Sequence, residues 1–118
     1  MVSLVACMSS GRDSWVPVIQ LMSATDWDAI YLVMPSFFAD KYSENSSKVH
    51  KIIIDENKEL VLLTEDLVKA FDGKLFGDVA VNLSSGFGKE HMAVLAALLK
   101  SGCGIRLVSF DGSKIVEL

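Results

Sequence analysis

DVAVNLSSGFGKEHMAVLAALLKSGCGIRLVSF, residues 78–110, is the stretch whose reading decides the fold. It opens with DVAVN, a strand-like run, and turns at Ser84-Ser85-Gly86. A helix follows over 89–102, apolar almost all round, and a second strand-like run, CGIRLVSF, closes the unit at 103–110. A helix with so few polar positions has to be covered on more than one side, by a sheet and by a second subunit.

The same order appears at the start of the chain. VSLVACM (2–8) and WDAIYLVMP (27–35) are continuous apolar runs, the first ended by Ser-Ser-Gly and the second by Pro35. Between them Ser14 is a suitable N-cap, Pro17 is tolerable in a first turn, and Trp15, Val18, Ile19 and Met22 recur at helical spacing. SFFADKYSENSSK (36–48) reads as a loop carrying a short helix. VHKIIID and ELVLL flank Glu56-Asn57-Lys58 and read as a hairpin, after which Thr64 caps a helix ending at Asp72-Gly73. Asp111-Gly112 between two apolar runs predicts a closing antiparallel hairpin. The expectation is a single α/β domain over 1–118: a three-layer sandwich of a mostly parallel sheet, helices on both faces, and a C-terminal β-hairpin.

Composition narrows the function classes. The chain has 118 residues, 51% hydrophobic, with mean hydropathy +0.39, enough for one packed core. No apolar run approaches the roughly 20 residues that span a bilayer, so a soluble, cytoplasmic protein with no membrane partner is expected. A net charge of −4 argues against DNA as a partner, because nucleic-acid binding relies on a basic surface to displace counterions. Cys7 and Cys103 sit in strand-like runs and read as core thiols, with no metal site and no cofactor implied.

In a doubly wound sheet the first strand and the strand at 78–83 are neighbours, and ligands bind beyond their carboxyl ends. Two loops therefore meet: MSSGRDS (8–14) and NLSSGFGKEH (82–91). Each offers a Ser-Ser-Gly turn and then a helix N-terminus, which suits phosphate oxygens. The Walker A pattern fails at GFGKE, where Glu90 stands in place of the metal-binding hydroxyl. SSGRDS resembles the S-G-G-x-D-S loop of the PP-loop ATP pyrophosphatases, with Ser10 in place of the first glycine. An ATP-binding enzyme using that loop is the alternative reading.

The run VAVNLSSGFGKEHMAVLAALLKSGCGIRLV, with VSLVACMSSGRDSW and DAIYLVMP before it, resembles the CRISPR-associated Rossmann-fold (CARF) domains. Against that family's N-h-T-G-G-T-K-x-M, the second glycine is displaced and Met92 arrives two residues late. The resemblance implies a Rossmann-like domain sensing cyclic oligoadenylate, typically the tetra-adenylate ring, across a homodimer interface. An effector domain, such as a ribonuclease with Arg-x4–6-His, is not legible here, so the expectation is a sensor domain or a standalone ring nuclease acting without metal. Under it, Ser9, Ser10, Gly11 and Arg12 of one loop and Asn82, Ser84, Ser85, Gly86, Phe87, Gly88 and Lys89 of the other contact the ligand, the second loop more strongly. Lys89, Ser10 and His91 are the catalytic candidates: Lys89 to neutralise transition-state charge, Ser10 to orient ribose or phosphate, His91 as acid or base. Trp15 and Phe87 are candidate stacking rings, with packing favoured for Trp15, and Phe37 and Tyr42 are lid candidates.

Overall fold

The computed structural model describes residues 2–9, 11–43 and 46–118; Ser10 lies outside them, as do the side chains of Arg12 and Asp13. In chain order the elements are β1 (Leu4–Cys7), α1 (Arg12–Ser23), β2 (Ile30–Pro35), α2 (Ser36–Ala39), β3 (Val49–Ile54), α3 (Leu60–Phe71), β4 (Asp78–Asn82), α4 (Gly88–Lys100), β5 (Gly104–Phe110) and β6 (Ile115–Glu117). They build one six-stranded sheet in the order β3-β2-β1-β4-β5-β6. All pairs are parallel except β5–β6.

The continuous apolar runs have a simple cause: successive side chains point to opposite faces, and both faces are covered. Val5, Cys7, Tyr31, Val33, Val79 and Val81 pack under Leu63, Leu67 and Phe71 of α3 and Ala93, Val94, Ala97 and Leu98 of α4. Leu4, Ala6, Met8, Ile30, Leu32 and Met34 pack on the other side with Val18 and Leu21 of α1 and Phe38 of α2. Both cysteines are buried and free. The closing hairpin turns at Gly112 (φ +101°), where Asp111 Oδ1 accepts the N–H groups of Ser113 and Lys114, each at 2.9 Å. Among the described residues no helix is long and apolar enough to cross a membrane.

Three local readings are corrected. ELVLL is not a strand: it starts α3, whose N-cap is Glu59. Thr64 lies inside that helix and donates its hydroxyl to Leu60 O at 2.8 Å. The four-residue spacing of Leu63, Leu67 and Phe71 on one buried face overrides the apparent strand run. Ser14 is not the N-cap of α1; Gly11 is. Pro17 is therefore the sixth helical residue, past the orphan N–H groups of the first turn, and it costs the helix one i→i−4 bond. The α4 helix buries Ala93, Val94, Ala97 and Leu98, together with Glu90 of its first turn.

Candidate ligand site at the switch point

β1 and β4 lie side by side at the centre of the sheet, with Ala6 opposite Asn82. Strand order reverses between them, so the loops that follow open at the topological switch point, where α/β sheets take ligands. The helices after them leave on opposite faces, α1 on one and α4 on the other.

The loops are joined by hydrogen bonds. Ser9 N–H donates to Ser85 Oγ at 3.1 Å, and Ser85 Oγ lies 2.9 Å from Ser14 Oγ. Ser14 Oγ donates to Gly11 O at 2.8 Å. A hydroxyl has one proton, so that bond makes Ser85 the donor to Ser14 and leaves the Ser85 lone pairs to accept from Ser9. Ser85 is fully buried, and its carbonyl receives His91 Nε2 at 2.8 Å. A carbonyl only accepts, so Nε2 carries a proton and donates it to this bond.

Glu90 is the residue that sequence reasoning missed. It is only 3% exposed, and its carboxylate accepts the Ser9 hydroxyl at 3.0 and 3.3 Å. It also accepts the backbone N–H of Phe87, the N-cap of α4. That is the reach-back half of a capping box, three residues into the helix. The available signal was Glu three residues after the cap, but with Phe at the cap the pattern lacks its usual Ser or Thr. Burial raises the Glu90 pKa above the ordinary carboxyl value; the Ser9 bond, His91 and the Phe87 N–H oppose that rise, and the neighbouring Glu56 adds to it. Among the described residues Glu56 Oε2 is the buried side-chain oxygen without a partner. Gly86 (φ +99°) makes this packing feasible, because a Cβ there would sit 2.8 Å from Glu90 Oε2, 3.2 Å from Cys7 Cβ and 3.2 Å from His91 Nε2.

The raised pKa carries a pH prediction. A carboxyl whose folded-state pKa lies above its unfolded value near 4.5 contributes stability below that value and loses it as pH rises through the folded pKa. Glu90→Gln, which keeps an acceptor for Ser9, should lack this decline and gain on the parent chain as pH rises. Urea midpoints measured from about pH 4 to about pH 8 test this; parallel profiles for the two proteins would refute it.

The other candidates divide by position. Asn82 is buried with both ends of its amide used: Nδ2 donates to Val108 O at 2.8 Å and Oδ1 accepts Ser84 N–H at 3.2 Å. It ties β4 to β5 and shapes the loop, which makes it a positioning residue. Lys89 is exposed, and its ammonium donates to Glu56 O at 3.0 Å. Gly11, Ser84, Phe87 and Gly88 are exposed at the loop rims. Trp15 packs edge-on against Phe38 at 4.3 Å, in keeping with a core role. Tyr42 is half-buried, with its hydroxyl 3.9 Å from Met22 Sδ, and Phe37 is exposed. Among the described residues no cluster of His, Cys, Asp or Glu could hold a metal ion.

This geometry changes the chemistry expected of the second loop. The N-terminus of α4 already carries its own anion, the Glu90 carboxylate, in the place where a phosphate would sit. The cap of α1 is a glycine with no side chain to bond its first N–H groups. No protein-family model and no curated protein matches this chain.

Proposed function

We propose that the protein is a CARF-like sensor that binds cyclic oligoadenylate, with the tetra-adenylate ring as the expected ligand, across a homodimer in type III CRISPR signalling. The observation that carries this reading is the convergence of the two Ser-Ser-Gly loops at the β1–β4 switch point, joined through the buried Ser85. The resemblance over 79–108 and the antiparallel β6 closing the sheet support it. A two-fold symmetric polyanion suits an isologous dimer, in which two α1 N-termini and two Lys89 ammonium groups supply positive potential within an acidic protein. Met92 and Leu99, exposed along α4, are the apolar side chains that a second copy would cover.

Binding comes first in this reading and cleavage second. In ring opening a ribose 2′-oxygen bonds to the adjacent phosphorus while the P–O5′ bond breaks. The 2′ proton passes to a base and the 5′ oxygen gains one, leaving a 2′,3′-cyclic phosphate and a 5′-hydroxyl. His91 Nδ1 is the titratable atom beside the loops for such a transfer, and in-line positioning supplies much of the rate.

The test is thermal unfolding with cyclic tetra-adenylate, and separately with ATP and Mg²⁺, together with product analysis and the mass of the particle in solution. A raised midpoint with the cyclic nucleotide on a dimer supports the reading. No shift and no linear product would sink it, and pyrophosphate released from ATP would favour the PP-loop alternative. Lys89→Ala should weaken cyclic-nucleotide binding by about 10-fold or more, as expected for one hydrogen bond to a charged group, with the midpoint of the free protein unchanged because the side chain is exposed.

A further inference from the structure

At the opposite end of the sheet, where β2 and β3 begin, lies a cavity of about 650 Å³ lined by Tyr31, Val49, His50, Lys51, Ile52 and Lys74. Its volume falls within the range of small-molecule sites, roughly 300–1,000 Å³. Tyr31 and His50 are register partners across the strands, and their rings stack at 5.1 Å with 25° between planes. Phe71, the last residue of α3, meets Tyr31 edge-on at 6.3 Å and backs this pair from the core.

Three polar side chains on this cavity make no hydrogen bond among the described residues. Tyr31 is only 7% exposed, and a buried tyrosine ordinarily bonds its hydroxyl; among the described residues this one has no hydrogen-bond partner, and it is not sealed from solvent. The His50 ring touches Tyr31 by stacking and forms no hydrogen bond or ion pair among the described residues. The Lys74 ammonium likewise has no partner among them. Lys51 is different, since its ammonium donates to the carbonyls of Ala39 and Tyr42. The lining holds no carboxylate, although the chain as a whole carries a net charge of −4.

We infer that this cavity is a second binding site, for a small anion attached to a flat ring: an aromatic carboxylate or an aromatic phosphate. The ring stacks on His50, continuing the Tyr31–His50 layer. The anion pairs with Lys74, and Tyr31 Oη supplies a directed hydrogen bond beside it. A ring without charge leaves the Lys74 ammonium unpaired, and an anion without a ring forgoes the stacking face. The site lies at the other end of the sheet from Ser9, Ser85 and Glu90 and is independent of the cyclic-nucleotide reading.

Nuclear magnetic resonance titration of the whole chain tests this with four probes: benzoate, phenyl phosphate, cyclohexanecarboxylate and inorganic phosphate. Saturable shifts at the amides of Tyr31, His50 and Lys74 are expected with benzoate, phenyl phosphate or both, and the stronger of the two identifies the anion. The two probes lacking a flat ring should bind at least 10-fold more weakly. Lys74→Ala and His50→Ala, both at exposed positions, should each weaken the aromatic anion about 10-fold, while the amides of Ser9, Ser85 and Glu90 stay unmoved. Absence of saturable shifts at these three residues with either aromatic anion would overturn the assignment, as would undiminished binding in both variants.

Discussion

Replacing Gly86 with alanine is expected to destabilise the protein by about 3 kcal/mol, lowering its melting temperature by roughly 10 °C. Two costs combine. At φ +99° an L side chain strains the backbone, and the added methyl would meet Glu90 Oε2 at 2.8 Å. The carboxylate has little room to retreat, because Ser9 and the Phe87 N–H hold it and Cys7 lies 3.2 Å from the same methyl. Gly73 separates the two costs: its φ is +71°, and a methyl added there would find no atom within 4 Å. Gly73→Ala should therefore carry the strain alone, about 1 kcal/mol. Equal losses at the two glycines would mean that Glu90 does not pack beneath the second loop. Gly86→Ala should also impair cyclic-nucleotide binding, since the displaced carboxylate releases Ser9 and with it the first loop.

Truncating Phe71 to alanine should cost about 3–5 kcal/mol, a large share of the stability of a domain this size. The ring is 1% exposed and belongs to the core beneath α3 and α4. Its removal opens a cavity and withdraws the edge-on contact with Tyr31. Urea unfolding reports this as a lower midpoint at an unchanged slope. Phe76→Ala is the matched control, because that ring is exposed and its loss should fall within about 0.5 kcal/mol. A loss below about 1 kcal/mol at Phe71 would mean that the end of α3 is not seated on the sheet.

The architecture was legible because it rests on local signals that agree with one another. Apolar runs at 2–8 and 27–35 require cover on both faces, and that requirement alone predicts a parallel sheet between helix layers. Gly73 and Gly112 mark a helix end and a hairpin because both positions have positive φ. The reading failed where a short apolar run fits either period. In ELVLL the deciding residues, Leu67 and Phe71, lie outside the run, and only their burial with Leu63 makes the segment a helix.

The meeting of the two loops was legible in the sequence, but not the bonds they make there. Both Ser-Ser-Gly loops were identifiable, as was their meeting, since the order of βα units places β1 beside β4. Their hydroxyls looked free for a ligand in the sequence. In the folded chain Ser85 bonds to both Ser9 and Ser14, and Glu90, in the first turn of α4, accepts the Ser9 hydroxyl. No local pattern could reveal this, because Ser9 and Glu90 meet across 81 positions of chain. The sequence by itself determined the layers, the mostly parallel sheet and the meeting of the two loops, since these follow from burial on two faces and from the order of the βα units. Only the tertiary structure decided which polar groups bond to one another and which, such as Tyr31 Oη and Lys74, have no hydrogen-bond partner among the described residues; partners at such distances are chosen by strand order, a property of the whole sheet.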